Sequence, residues 1–151
     1  MNPTHFSPAA RWIWPSPGVS GAWWMFRKTF STDSLSVCEA QLKITSALHH
    51  IVFLNVTLIA RGPGSAYNFS KVYDEIDVTP FLQPGGDNVL AVLAVEVDPG
   101  NPSYPSLFPR SGLLAELVLS GENDTRQVIA SDASWRVKRH LSFAADTPTV
   151  F

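Results

Sequence analysis

The sequence has few of the features that mark membrane-spanning, nucleic-acid-binding or disulfide-bonded proteins. It contains one cysteine, Cys38, which excludes an internal disulfide and which we expect to be buried in a strand. The net charge is −2, so no basic stripe is available to neutralise phosphates. The longest apolar runs, such as residues 89–95, are far shorter than the roughly 20 residues that a bilayer requires. We therefore expect neither nucleic acid nor a membrane as a partner.

A secretory leader and helical spacing are missing from the pattern as well. The N-terminal stretch MNPTHFSPAARWIW has no basic cluster followed by a continuous apolar run, so we expect no secretory signal here and take the cytoplasm as the default location. No segment keeps apolar residues at helical spacing over three turns. The regular structure must therefore come mainly from strands.

Short alternating segments separated by glycine and proline predict those strands. Residues 23–30 (WWMFRKTF) and 38–45 (CEAQLKIT) alternate between two faces, and 88–97 (NVLAVLAVEV) are apolar on both, which predicts a central strand covered on both sides. Seven or eight such segments predict an all-β protein, an antiparallel β-sandwich over residues 23–151 whose C-terminal end could be truncated. Residues 1–22 are rich in proline and glycine and predict an extended arm.

The segment YDEIDVTPFLQPGGDNVLAVL, residues 73–93, opens with three acids that allow two interpretations. Two carboxylates could be the acid and base of a glycosidase, which flank one bond at ~5–10 Å across a cleft. However, Asp74 and Glu75 are adjacent and must point to opposite faces of an extended segment. Asp77 lies just before a turn, where its carboxylate can accept backbone N–H bonds. We therefore interpret all three as structural.

The residues after these acids predict one helical turn. Thr79 is suited to be its N-cap and Pro80 its first residue. Phe81 and Leu82 should then pack into the core, as should Trp135 later in the chain. Trp24 and Val137 are also expected to face inwards.

Several segments in order resemble the N-terminal β-sandwich of bacterial and fungal α-L-rhamnosidases. They are ARWIWP, WWMFRKTF, FLNVTLIARGP, the 73–93 corner and SDASWRV, spread over residues 10–137. The corner resembles the pattern Y-D-x-x-D-V-T-x-x-L-x-P-G-x-N, with one additional residue before Asn88. β-Galactosidase-type enzymes share this pattern, so it marks the fold more firmly than the substrate. The resemblance implies a jelly-roll, galactose-binding-domain-like sandwich. The family favours Asn-Gly where this chain has Asn55-Val56, which predicts a looser hairpin loop.

The resemblance also implies an accessory domain rather than a complete hydrolase. In that family the sandwich precedes further β-domains and a helical (α/α) barrel that holds the catalytic acids, and 151 residues do not accommodate such a barrel. We expect no catalytic residue in this chain. The implied partners are the catalytic domain or a rhamnose-containing glycan. Two alternatives are a free-standing, lectin-like carbohydrate binder and a protein-interaction domain.

The side chains that could contact a carbohydrate are aromatic, charged or placed in long loops. They are Trp12, Trp14, Arg61, Tyr67, Tyr73, Asp74 and Tyr104. Aromatic rings stack on the apolar faces of sugars, although filling the core is the alternative for each. The two tryptophans lie in the arm and could instead clamp the sandwich or contact a neighbouring domain. Arg61 and Asp74 could form a bidentate ion pair, and the tyrosines lie in or beside loops.

No cofactor is expected. His49 and His50 are adjacent and face opposite ways on a strand, while His5 and His140 are remote, so a metal site from them is not favoured. A structural calcium held by loop oxygens is conceivable, although the spacing gives it no specific support. Its candidate ligands are Asp74, Asp98 and Asn101. Residues 98–112 hold four prolines and predict a long surface loop that docks on something.

Overall fold

The computed structural model describes residues 5–16, 21–64, 72–95 and 112–142, and within these ranges nine strands form two antiparallel sheets. The strands are β1 (Trp23–Ser31), β2 (Val37–Ser46), β3 (His49–Leu54), β4 (Thr57–Gly62), β5 (Asp74–Asp77), β6 (Asp87–Val95), β7 (Leu113–Gly121), β8 (Arg126–Ala130) and β9 (Arg136–Arg139). Two 3₁₀ turns, Thr79–Phe81 and Glu122–Asp124, join strands. None of the described residues belongs to a helix that is long and apolar enough to cross a membrane.

The strand order confirms the predicted fold class. One sheet has five strands in the order β4-β3-β6-β1-β9, and the other has four in the order β5-β2-β7-β8. Every named pairing is antiparallel. The chain passes repeatedly from one sheet to the other, as in jelly-roll sandwiches. The protein is an antiparallel β-sandwich.

The core lies between the inner faces of the two sheets. In the five-stranded sheet, Phe26 is opposite Val92, which is in turn opposite Val52, and all three are buried. In the four-stranded sheet, Leu42 is opposite Leu117 in the same way. Directly opposed residues point to the same face, so these rows identify the inner face of each sheet. The predicted alternation is confirmed for these strands.

Both tryptophans expected in the core contact it. Trp135 is 6% exposed, and its indole Nε1 donates a hydrogen bond to the carbonyl of Ala130 at 2.9 Å. Trp24 is partly buried and packs against the same core. Val137 is opposite Phe26 and so points to the inner face, as predicted, but it is 39% exposed because β9 is a short strand at the edge of its sheet.

Part of the N-terminal arm packs on the outer face of the four-stranded sheet. Phe6 and Ala10 are buried against Leu114 of β7 and Ala130 of β8. Arg11 N donates to the carbonyl of Ser131 at 2.7 Å, and Ile13 and Leu113 exchange backbone hydrogen bonds at 2.9 Å. The described arm residues therefore pack against the four-stranded sheet and cover part of its outer face.

The loose loop expected at Asn55-Val56 is wrong. Leu54 pairs directly with Thr57, which closes a two-residue turn in which Asn55 and Val56 have φ values of 49° and 63°. This is the tight primed turn that usually carries Asn-Gly. It forms with valine because the Asn55 side chain is fixed: its Oδ1 accepts from Val89 N at 2.9 Å and its Nδ2 donates to the carbonyl of Phe81 at 3.0 Å.

The corner forms the predicted single turn, but two of its residues behave differently. Thr79 is not a side-chain N-cap; its hydroxyl instead accepts from Ala40 N at 2.8 Å, which ties the corner to β2. Phe81 is 37% exposed, whereas Leu82 packs against the core as expected. The turn is short and lies at the end of the sandwich, so it can direct only one of the two side chains inwards.

Two strand expectations also need correction. Cys38 is exposed, because a register shift between Val37 and Glu39 breaks the alternation that would have placed it inside. β6 is central in its sheet, as predicted, but Val89 and Leu93 on its outer side are only partly buried. The expected cover on both sides of that strand is therefore incomplete.

Candidate functional site

Most sequence-predicted site residues come from segments that meet at one end of the sandwich. At this end, Ser46 of β2 is opposite Leu113 of β7, and Ile44 is opposite Asp74 of β5. In the other sheet, His50 is opposite Gly62. Trp12 lies beside these strand ends, because a Cβ on Gly112 would come within 2.5 Å of its ring. We call this region, defined by Trp12, Ser46, His50, Gly62 and Asp74, the Trp12 end.

A polar contact joins the two sheets at the Trp12 end. Asp74 is opposite the fully buried Ile44, so its side chain points towards the interior. Its Oδ2 lies 3.2 Å from Nε2 of His50, which belongs to the opposing sheet. The His50 side chain is buried and that of Asp74 is 31% exposed. Burial raises the pKa of the Asp74 carboxyl above its usual value, since desolvation disfavours the charged form.

His50 also contacts Ser46, which completes a serine–histidine–aspartate series. Nδ1 of His50 lies 3.0 Å from Oγ of Ser46. The order of contacts resembles a nucleophile–base–acid triad, whose serine must meet its substrate. Ser46, however, is 0% exposed. The series therefore places two polar groups beside a buried histidine and connects β2, β3 and β5.

Gly62 makes room for this contact. A Cβ at position 62 would lie 2.0 Å from Asp74 Oδ2 and 3.0 Å from His50 Nε2. Only a residue without a side chain allows the carboxylate and the imidazole to approach each other at this point. This close approach explains why a glycine occupies position 62 in the Arg-Gly-Pro segment.

Arg61 and Asp74 do not form the expected ion pair. Gly62 shares the inner face with His50, so Arg61, one residue earlier, points to the outer face opposite Ile51. Asp74 pairs with His50 instead. The sequence contained a partial signal for this partner, because one of two adjacent histidines on a strand must face inwards and needs a polar neighbour.

The three corner acids occupy three different environments. Asp77 Oδ1 accepts hydrogen bonds from Thr79 N at 3.0 Å and from Thr79 Oγ1 at 2.6 Å. These bonds from the Thr79 hydroxyl and backbone lower the pKa of the Asp77 carboxyl. Glu75 is exposed and lies opposite Lys43 on the outer face. Asp74 and Asp77 are three positions apart on β5 and so face opposite sides of the sheet.

The aromatic candidates divide between packing and exposure. Tyr73 packs its ring against His5, at 5.4 Å between centroids, and against Phe6, at 5.6 Å. Trp14 contacts Phe26 at 5.4 Å and joins the core. Trp12 is 37% exposed and is thus the described aromatic candidate with the most accessible ring. Tyr67 and Tyr104 lie outside the described residues.

The described residues offer no metal-binding group: within them, no three His, Cys, Asp or Glu side chains are placed to hold an ion. Of the three residues considered for calcium, only Asp74 is described, and it pairs with His50. Asp98 and Asn101 lie outside the described ranges, as does most of the 98–112 loop.

The opposite end of the sandwich carries a groove that sequence reasoning missed. It is open, with a volume of about 460 Å³, and it is formed by the β1–β2 loop, the corner and the β7–β8 turn. Its polar lining includes Thr32, Asp33, Ser34, Ser36 and Glu122. No aromatic ring among the described residues lines it, and sugar recognition usually uses one as a stacking platform. The groove collects residues from three separate loops, so no local sequence pattern marks it.

Solved structures of α-L-rhamnosidases are similar to this chain. The GH78 family rhamnosidase of Bacillus sp. GL1 is 32% identical, with a TM-score of 0.72 over 86% of this chain and 13% of that one. The α-L-rhamnosidase of Aspergillus terreus is 27% identical, with a TM-score of 0.68 over 82% of this chain and 15% of that one. This chain therefore spans only a small part of either enzyme.

A lectin has a similar fold. The Pleurotus ostreatus lectin, solved in complex with GalNAc, is 20% identical, with a TM-score of 0.62 over 85% of this chain and 36% of that one. No family model and no curated protein sequence matches the chain. The resemblance predicted from the sequence is confirmed by the solved structures: this chain is a β-sandwich similar to a small part of the GH78 α-L-rhamnosidases.

Proposed function

We propose that this β-sandwich is a non-catalytic accessory domain of an α-L-rhamnosidase-like glycoside hydrolase and that it supports the catalytic module. The observation that carries this proposal is the 32% identity to the Bacillus sp. GL1 rhamnosidase over 86% of this chain. The match to the lectin, at 20% identity, reaches the fold alone. A shared fold by itself does not determine function, so the higher identity favours the rhamnosidase relation.

The corner acids are consistent with a supporting role. A glycosidase needs two carboxyl groups that flank one bond. Asp77 instead receives two hydrogen bonds from Thr79, and Asp74 faces the other side of β5, where it contacts His50. Each of the two acids thus stabilises a connection within the sandwich.

A chimeric enzyme tests the supporting role. The matching segment of the Bacillus sp. GL1 rhamnosidase is replaced by this chain, and a control chimera receives the matching segment of the Pleurotus ostreatus lectin. We expect the first chimera to unfold cooperatively and to hydrolyse an L-rhamnoside, and the control to lose both properties. The proposal is wrong if the two chimeras are equally active or equally inactive.

Direct carbohydrate binding is the second candidate, and the exposed ring of Trp12 favours it. The ring lies beside Gly112 at the Trp12 end, where a sugar could stack on it. Titration with L-rhamnose should then quench tryptophan fluorescence, and Trp12→Ala should abolish the quenching. A matched variant, Trp135→Phe in the core, should keep it. A flat titration at millimolar L-rhamnose would contradict this candidate and leave the supporting role in place.

A further inference from the structure

The outer face of the five-stranded sheet carries a continuous apolar centre. The registers place Met25 of β1, Leu93 of β6 and Ile51 of β3 in one row. The next outward row contains Ala91 opposite Phe53. All five are partly exposed, and no described strand packs over them. We call these five residues the apolar face.

Cations border the apolar face at both edges of the sheet. Arg61 of β4 extends the first row on one side, opposite Ile51, and Lys138 of β9 extends it on the other, opposite Met25. In the second row, Arg27 and Arg136 follow Ala91. All four cationic side chains are exposed. They are four of the 11 basic residues in a chain whose net charge is −2, so this concentration of positive charge is local.

Two of these cations oppose each other directly. Arg27 is the cross-strand neighbour of Arg136, so both side chains project from the same face of the sheet. The Cβ atoms of such a pair are about 5 Å apart. Like charges in this position destabilise a strand pair. An external carboxylate between them would remove the repulsion and could accept hydrogen bonds from both groups.

These features select among possible occupants. A second copy related by two-fold symmetry would bring the same cationic border against itself, which like-charge repulsion disfavours. Insertion into a lipid surface needs apolar side chains that project into the lipid. The side chains of the apolar face are only partly exposed. A protein surface with an apolar centre and carboxylates at its margin fits both the centre and the border.

We propose that the apolar face and its border, Arg27, Arg61, Arg136 and Lys138, form a docking surface for a protein partner whose apolar patch is edged by aspartates and glutamates. The partner surface belongs to a neighbouring domain of the same polypeptide, because this chain spans only 13% of the Bacillus sp. GL1 rhamnosidase that it resembles. The inference rests on the proposed function and names the surface that meets the neighbouring domain. A carboxylate bound by Arg27 and Arg136 is its central contact.

Site-specific photo-crosslinking in the cells that naturally produce the protein tests this surface. A photoreactive phenylalanine analogue replaces Leu93, at the centre of the apolar face. The matched control places it at Val118, which is outward and partly exposed on a central strand of the other sheet. We expect the Leu93 position to crosslink to one protein segment, the mapped peptide to be rich in Asp and Glu, and Val118 to give little product. Peptide mapping distinguishes a neighbouring domain from a separate protein.

Charge reversal supplies the decisive comparison. Arg27→Glu combined with Arg136→Glu should lower the crosslinking yield about tenfold or more, because the partner's carboxylates would then be repelled. Lys43→Glu, on the other sheet, should leave the yield unchanged. Thermal unfolding of both variants verifies that they fold. Crosslinks to a separate protein, to a second copy or to lipid, no crosslink at Leu93, or a yield that is unchanged by the charge reversal would each overturn the proposal. The chimeric enzyme tests the proposed function independently of these outcomes.

Discussion

The outer faces of the two sheets differ in charge arrangement and in cover. On the four-stranded sheet, Lys43 lies between Glu75 and Glu116, so opposite charges alternate across the strands. The N-terminal arm then covers part of this face: Ser7 N donates to Glu116 Oε2 at 2.9 Å, and Lys43 Nζ donates to the carbonyl of His5 at 3.1 Å. This face satisfies its charges within the chain.

The outer face of the five-stranded sheet has a different charge arrangement, and it is covered at one end, where Trp23 and Val95 are buried. Its centre is apolar, and Arg27 and Arg136 face each other as like charges. The comparison teaches that outer faces of one sandwich can be specialised: one is neutralised and covered from within, and the other keeps unbalanced charge beside apolar side chains. The second pattern is typical of a surface that another protein completes.

The same substitution on each face should have unequal effects. Leu114→Ala removes a leucine that is 0% exposed beneath the arm, and we expect it to lower the free energy of unfolding by about 3 kcal/mol. Leu93→Ala, on the apolar face, should lower it by about 1 kcal/mol, because that side chain is already partly exposed. Urea unfolding measures both. Equal losses would show that the two faces are covered to the same extent.

The contact that joins the two sheets at the Trp12 end can be broken through Gly62. Gly62→Ala should lower the free energy of unfolding by about 2 kcal/mol, since its Cβ would displace the Asp74 carboxylate from His50. In a double-mutant cycle, Gly62→Ala should cost much less in an Asp74→Ala background, where the obstructing oxygen is absent. Additive losses would contradict this account of the glycine.

The hairpins of the two sheets offer a smaller contrast. Both contain two left-handed residues: Asn55-Val56 in the five-stranded sheet, and Asn123-Asp124, with φ values of 56° and 57°, in the four-stranded sheet. Asparagine and aspartate tolerate this conformation, whereas a β-branched residue does not. Val56→Gly should therefore raise the free energy of unfolding by about 1 kcal/mol, and Asp124→Gly should leave it nearly unchanged. Chemical denaturation of the pair checks this, and a loss on Val56→Gly would refute it.

The smallest expected effect is on the acid side of the stability curve. The folded pKa of Asp77 is lowered by its bonds to Thr79, so its contribution to stability is present above the ordinary carboxyl pKa of 3.8 and is lost as the pH falls through the lowered folded value. Asp77→Asn should reduce this acid dependence, as followed by thermal unfolding between neutral and acidic pH. Glu75→Gln removes a carboxylate from the same strand without touching the turn and serves as the control. If Asp77→Asn lost as much stability at acidic pH as the unmodified protein, Asp77 would not stabilise the turn as its ionised form.

The parts of the fold that depend on local alternation could be predicted from the sequence. Residues 23–30 form a strand with Phe26 inside, and the corner forms a single turn after Asp77, because both patterns depend on neighbouring residues alone. Cys38 was misplaced because a bulge changes the phase of β2, and nothing in the local composition marks that bulge. Alternation predicts a face only while the register holds.

The candidate site depended more strongly on information that the sequence does not contain. Arg61 and Asp74 belong to different sheets, and which of Arg61 and Gly62 faces inwards is decided by the pairing of β3 with β4. His50 was considered only as a metal ligand, yet its inward position makes it the partner of Asp74. The tight turn at Val56 likewise follows from contacts of Asn55 with distant residues. These three features depend on how the strands pair, and the residue types alone do not predict them.

The packing of Phe6 and Ala10 has a practical consequence for anyone who wishes to shorten the protein. A version that starts at residue 23, where the regular strands begin, would leave Leu114 and Ala130 bare on the four-stranded sheet and would lose the strand-like bridge at Ile13. Such a truncated protein should aggregate and be poorly soluble, because these apolar side chains would be exposed. Useful cut points therefore lie before His5, even though the composition of the first stretch suggests a dispensable tail.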